Sequence, residues 1–220
     1  MNVFILKIIA LISMIIDHYG AIFHSDIELY RIIGRSAFPI YCFLLVEGYT
    51  HTSDVKRYLK RLFIFAIISE IPFDLAFYGK IEFLHQNIFF TLSIGLLAIY
   101  LIDDNGRKFN FSRTTVYIGT CLIATLFFVD YSFIGIIYIL QFYQIRNLPN
   151  AKGLLNVALI MFLINLFSAG WIQQFSLLAL PIIYLHNGKL GLKNKFIQFF
   201  FYAAYPLHLM IFYIVNLIKI

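Results

Sequence analysis

Apolar runs follow one another along almost the whole chain, at 3–23, 32–49, 59–77, 88–102, 115–129, 133–145, 154–167, 172–185 and 196–218, with short polar stretches between them. A helix needs about 20 residues to cross roughly 30 Å of hydrocarbon. The shorter runs must therefore be close-set, or carried past their apolar ends by interfacial tyrosines. The pattern predicts an all-α fold: a polytopic integral membrane helical bundle of about nine transmembrane helices, as a single domain over 1–220. The first run has almost nothing before it and no small-residue cleavage site, so it is expected to be a retained helix and not a cleaved signal. Pro39, Pro72, Pro181 and Pro206 fall inside runs, so several helices are expected to be broken, while Pro149 falls between two runs. Breaks flanked by polar residues, Pro72 between Glu70 and Asp74 and Pro206 between Tyr205 and His208, are the ones expected to line a cavity. Pro39 and Pro181 read as simple kinks.

Polar residues inside the runs are few. The stretch LISMIIDHYG at 11–20 carries Asp17 and His18 side by side in an otherwise unbroken apolar helix. An aspartate at the centre of a membrane helix costs roughly 2.5–3.5 kcal/mol on insertion scales, so it must face a partner, a cavity or a substrate. Its neighbour His18 lies about 100° round the helix, which lets one side chain face a cavity while the other touches an adjoining helix. In the third run Glu70 and Asp74 share a face, and two carboxylates one turn apart need a cation. Arg31 and Arg35 are the expected source of that charge. Tyr205 and His208 share a face in the last run, and Gln86 with Asn87 opens the fourth. Each of these alone is explained by an interhelical hydrogen bond; together they point to one site.

Composition sharpens the membrane reading: 61% of residues are hydrophobic, 13% are charged and the mean hydropathy is +0.84, far from a soluble domain. The net charge of +6 would suit nucleic acid, yet the bases sit in short loops and so report topology instead. Lys56, Arg57, Lys60, Arg61, Arg107, Lys108, Arg113, Arg146, Lys152, Lys189, Lys193 and Lys195 fall in even-numbered loops, and the odd ones hold Arg31, Arg35 and Lys80. This predicts a cytoplasmic N-terminus and an outer C-terminus, with His18 in the outer half of its helix. The polar loop at 103–113 is expected to be a plain turn. Lys56, Arg57, Lys60 and Arg61 crowd the start of the third run, where the helix dipole is already positive, so an anion is expected there: lipid phosphate or a phosphate-rich cofactor. Glu47, His51 and the loop at 186–189 adjoin this cluster. Cys42 and Cys121 lie in apolar runs and argue for neither a disulfide nor a metal.

The chain resembles the TraX-type family of membrane acetyltransferases. The resemblance rests on LKIIALISMIIDHYGAIF, RIIGRSAFPIYCFLLVEGYTHT, KRYLKRLFIFAIISEIPFDLAF, NIFFTLSIGLLAIYL, LLALPIIYLHNGKLG and YPLHLMIFYIV, in the expected order over well over half the chain. Glu70 stands where Gln is expected, and the region at 109–170 matches loosely apart from VDYSFIGIIYIL. The founding member of that family acetylates the N-terminus of F-type conjugative pilin, and the family is akin to multi-helix acyltransferases that modify surface sugars. Those proteins place an essential histidine early in the chain, and His18 is the residue here that matches. The resemblance implies acetyl-CoA as donor, a pilin-like peptide or surface glycan as acceptor, and residence in a bacterial inner (cytoplasmic) membrane.

The residues suit such chemistry. His18 is expected to be the base with Asp17 orienting it, while Arg35, Asn87 or His208 polarises the carbonyl and Asp74 belongs to the same polar group. Lys56, Arg57, Lys60 and Arg61, with Glu47 and His51, are expected to seat the donor's nucleotide. No serine or cysteine stands in a nucleophile context, so direct transfer is expected. The alternatives are a proton-coupled transporter, which should show internal repeats that are not visible, and a structural component of a conjugation or secretion apparatus, which would need no polar cluster.

Overall fold

The structure is a computed structural model, and it describes residues 1–103, 111–147, 150–168, 170–192 and 194–219. Arg107, Lys108 and most of the expected turn at 103–113 lie outside the described residues, as do Pro149 and Lys193.

Among the described residues each apolar run is largely helical, although the run at 115–129 leaves the helix after Leu126. The first is α1, Val3–Phe23, opened by the Asn2 side chain, which accepts from the Ile5 amide at 3.0 Å. The second run holds two pieces, α2 at Glu28–Gly34 and α3 at Ala37–Thr50. Pro39 explains the joint: it has no N–H for the Arg35 carbonyl, and its ring crowds that same residue. Next comes α4, Val55–Tyr78, capped by Asp54, which accepts from the Arg57 amide at 2.9 Å. It ends at Gly79, whose φ of 67° is a left-handed stop open to glycine. Asn87 caps α5 (Ile88–Ile102), Ser112 caps α6 (Arg113–Leu126), and α7 follows at Ser132–Gln144. Asn150 caps α8 (Ala151–Asn165). A 3-10 segment, Trp171–Leu178, then runs into α9, Ala179–Tyr184, the change of helix type falling where Pro181 cannot bond the Leu177 carbonyl. The last helix, α10, spans Lys195–Lys219 and carries Pro206 inside it.

Nearly every side of α3 is buried, from Phe38 through Tyr49, and it packs on α1, α5, α7 and α9. On the other side of the bundle α4 packs on α5 and α10, and α2 lies against α1. The outside is apolar too: Phe63, Ile64, Ile67, Ile68 and Ile71 make an exposed stripe along α4 at helical spacing. A surface of this kind belongs in hydrocarbon, because water would leave it as one large exposed patch. The spans Val3–Phe23, Glu28–Thr50 and Lys195–Ile218 are long and apolar enough to cross a membrane. Ile88–Ile102, Ser132–Gln144, Ala151–Asn165 and Trp171–Tyr184 are apolar and shorter.

Candidate functional site

A cavity of about 410 Å³ lies between α1, α3, α4 and α10. Along α1 its wall extends from Val3 to His18, about 22 Å at 1.5 Å per residue.

At the His18 end, two glycines let α2 sit directly on α1. A Cβ on Gly34 would lie 2.2 Å from Asp17 Cβ, and one on Gly20 would lie 2.3 Å from Tyr30 Cβ. The close approach delivers both arginines to Asp17. Arg31 Nη1 donates to Oδ2 at 2.8 Å, and Arg35 Nη2 donates to both carboxylate oxygens at 2.6 Å. These are charge-assisted bonds in a buried setting, which makes Asp17 the anchor of the α2–α3 joint. Arg35 Nη1 also reaches Gln173 Oε1 at 3.3 Å, which ties the joint to the 3-10 segment. Arg35 Nε–H is buried and has no hydrogen-bond partner among the described residues.

His18 is held from a different helix. Its Nδ1 lies 2.7 Å from His208 Nε2 on α10, and His208 Nδ1 lies 2.8 Å from the Ala204 carbonyl. A carbonyl only accepts, so His208 Nδ1 carries a proton. In a neutral pair His208 Nε2 is then a bare acceptor and His18 Nδ1–H donates to it. That leaves the His18 Nε2 lone pair without a hydrogen bond among the described residues, on a side chain that lines the cavity.

Part of the wall comes from the loop between α6 and α7, which pattern reading did not nominate. Phe128, Tyr131 and Ser132 have φ of 51°, 61° and 46°, values that side chains rarely adopt. The loop is held by main-chain bonds from the Gln86 amide to Phe128 O at 3.0 Å and from the Asp130 amide to Gln86 O at 2.8 Å. Its backbone places Asp130 and Tyr131 in the cavity wall, with the Tyr131 ring stacked on Phe38 at 3.9 Å and 5.8 Å from the Arg35 guanidinium. The only sequence sign of this loop is that it opens the one well-matched motif in the loosely matching region, VDYSFIGIIYIL.

Glu70, Asp74 and Asn87 stand apart from the cavity. The arginines expected to balance Glu70 and Asp74 are both taken by Asp17. Glu70 instead accepts from the Asn87 amide at 3.3 Å and from its side-chain nitrogen. Asn87 also donates to Ala66 O at 2.7 Å and accepts from the Phe89 amide at 3.0 Å, so its amide group is used in joining α4 to the start of α5. Asp74 accepts from the Glu82 amide at 3.1 Å and fixes the turn after α4.

The other end of the cavity is lined by Glu47, His51, Tyr58 and Arg61. The Glu47 carboxylate is buried, 3.6 Å from His186 Nε2 and 3.8 Å from His51 Nδ1. His186, in the loop expected to adjoin the basic cluster, has its Nδ1 3.2 Å from the Met1 carbonyl. The Arg61 guanidinium lies 5.4 Å from the Tyr58 ring centre, and its Nε–H is buried with no hydrogen-bond partner among the described residues. Lys56, Arg57 and Lys60 do not line the cavity; they are exposed on the first turns of α4, the helix that carries Tyr58 and Arg61, and Arg57 is paired with Asp54 at 3.4 Å. Between the ends the wall is apolar, with Met14, Tyr41, Leu44 and Leu45.

A helical bundle with a hydrocarbon-facing exterior, enclosing a cavity that joins a basic mouth to a histidine pair, defines a membrane protein with an internal polar site. The family model described as TraX protein matches residues 3–216, and the chain belongs to that family. It is similar to a probable fimbrial assembly protein, FimC of serogroup H1, from Dichelobacter nodosus, at 30% identity over 94% of this chain and 93% of the relative. It is also similar to an uncharacterised protein of Rickettsia prowazekii (strain Madrid E), at 31% identity over 58% of this chain and 46% of that one. No solved structure matches.

Proposed function

We propose that the protein is a membrane-embedded acetyltransferase that moves an acetyl group from cytoplasmic acetyl-CoA to an acceptor, a pilin-like peptide N-terminus or a surface glycan. The observation that carries this reading is the His18 Nε2 lone pair in the wall of a cavity whose far mouth is basic. Acyl transfer needs a base for the acceptor's proton, and a neutral imidazole is suited to that work. It also needs a donor aimed at the carbonyl oxygen, where negative charge develops, and the orphaned Arg35 Nε–H is available nearby. The donor supplies an activated thioester on a long slim arm. Arg61, with Lys56, Arg57 and Lys60 outside it, would hold the phosphates; the apolar wall at Met14, Tyr41, Leu44 and Leu45 suits the arm. Membership in the TraX family and the fimbrial assembly relative support an acceptor related to pili.

The same reading sets the chain in a bacterial inner membrane as a bundle of about nine spans, with the N-terminus and the basic mouth cytoplasmic. A cysteine at Phe83, 82% exposed in the turn after α4, should react with an impermeant thiol reagent in intact cells. One at Lys56 should react only after the membrane is opened, and the reverse result would invert the orientation.

The transfer itself is tested by incubating protein in lipid nanodiscs with acetyl-labelled acetyl-CoA and membrane extract, then identifying what acquires label. His18→Ala should lower transfer by about 10²- to 10⁴-fold, the usual contribution of a general base. Near-normal transfer by that variant would remove His18 from the chemistry, and no labelled product in wild-type protein would remove the acetyltransferase reading.

A further inference from the structure

We propose that His18 and His208 form a two-histidine proton relay, in which His208 receives the charge that His18 takes from the acceptor. This rests on the proposed base role of His18 and adds a function for the second ring. The resting pair has its protons on His18 Nδ1 and His208 Nδ1, fixed from one end by the Ala204 carbonyl. When the acceptor attacks, its N–H or O–H proton moves to His18 Nε2. The His18 Nδ1 proton crosses the 2.7 Å bond to His208 Nε2. His18 is then neutral with its proton on Nε2, and His208 is an imidazolium with both nitrogens protonated. As the thiolate leaves, His18 Nε2–H gives it that proton and the Nδ1 proton returns from His208. The products are the acetylated acceptor and the free thiol, with both rings restored.

The surroundings give the relay a reason. At Asp17, the next residue on α1, two guanidiniums meet one carboxylate and leave net positive charge beside His18, whereas His208 is surrounded by the His18, Tyr205 and Phe212 rings. The Ala204 carbonyl, which accepts from His208 Nδ1–H, stabilises the charge once it has moved there. Among the other titratable groups, Tyr205 on α10 meets both rings edge-on, at 5.8 Å from His18 and 5.7 Å from His208; Asp130 and Tyr131 in the loop before α7 and Tyr78 on α4 line the same cavity as His18, and Glu70 and Asp74 on α4 lie outside its wall. His24 lies on the far side of Tyr19, to which it is hydrogen-bonded at 3.1 Å.

Two measurements test this. Nitrogen NMR of protein carrying isotope-labelled histidine should show both rings protonated at Nδ1 in the neutral pair. On acidification the first added proton should leave His208 doubly protonated while His18 changes tautomer. A resting His18 protonated at Nε2, or a first proton that stays on His18, overturns the relay whether or not the enzyme assay succeeds. The second measurement compares His208→Gln with wild type. Glutamine can accept the His18 Nδ1–H bond and hold the ring, but it cannot take a proton at neutral pH. His208→Gln should keep acetyl-CoA affinity and lose transfer by about tenfold or more. Its proton inventory in mixed light and heavy water should be linear where wild type is curved. Transfer at the wild-type rate in His208→Gln would make His208 a mere prop and end the proposal. Loss of transfer in wild type would instead strike the acetyltransferase reading and leave the NMR result standing.

Discussion

At the scale of single residues, Asp17 has a different task from the one its place beside His18 suggests. The two side chains leave the helix about 100° apart, so they meet different neighbours: Asp17 two guanidiniums on α2 and its joint with α3, His18 an imidazole on α10. That both belong to a special site is legible from sequence, because a carboxylate in hydrocarbon must be compensated. Which partner each one finds is not, because that depends on how helices distant in sequence pack. The consequence is a sharper expectation for Asp17→Asn. Removing one member of a buried ion pair leaves the other uncompensated and costs about 3–5 kcal/mol; here two guanidiniums lose their counter-charge, although Arg31 keeps 31% of its side chain exposed and so softens the loss. Asp17→Asn should lower the unfolding midpoint in detergent well below that of His18→Ala. If the two variants melt together, the clamp contributes little to stability.

Among the elements, the joint between α2 and α3 depends on two features that are inconspicuous in the sequence. Pro39 reads as a plain kink, yet the carbonyl it leaves without a donor belongs to Arg35, so the break falls at the residue that must turn toward Asp17. Gly34 supplies the closeness. A methyl group there would sit 2.2 Å from Asp17 Cβ and Oδ1, nearer than any real contact, so α2 would have to move away. Overpacking of this sort costs about 1–3 kcal/mol. Gly34→Ala should therefore lower the unfolding midpoint and, on the proposed function, acetyl transfer. Gly119→Ala on α6, where an added Cβ meets nothing within 4 Å, should be neutral or raise the midpoint through helix propensity alone. Equal behaviour of the two variants would mean that α2 can shift without disturbing the clamp. The apolar runs foretold where the helices lie. The loop that sets Asp130 and Tyr131 in the cavity wall was missed, because periodicity says nothing of loops and left-handed backbone at non-glycine residues leaves no mark in composition.

The whole molecule adds what no run or motif contains, a cavity that connects the two polar ends. Sequence showed a basic cluster and an Asp-His pair in separate helices, and topology rules put them on opposite sides. Only the packing of α3 against α1, with α4 and α10 beyond, leaves an open way from Arg61 to His18 past Leu44 and Met14. If a donor's arm uses that way, narrowing its middle should separate capture from chemistry. Leu44 is 7% exposed and its side chain forms part of the wall, so Leu44→Trp adds bulk where the arm must pass while leaving Arg61, Lys56, Arg57 and Lys60 in place. The nucleotide portion of the donor, offered alone as adenosine bisphosphate, should bind this variant as it binds wild type. Acetyl transfer should fall by about tenfold or more, since misplacing reacting groups by about 1 Å already costs on the order of 10²-fold. Unfolding midpoints measured alongside separate a blocked passage from a damaged core. A Leu44→Trp bundle that melts near wild type and transfers acetyl groups at full rate would mean that donor and histidine meet by another route.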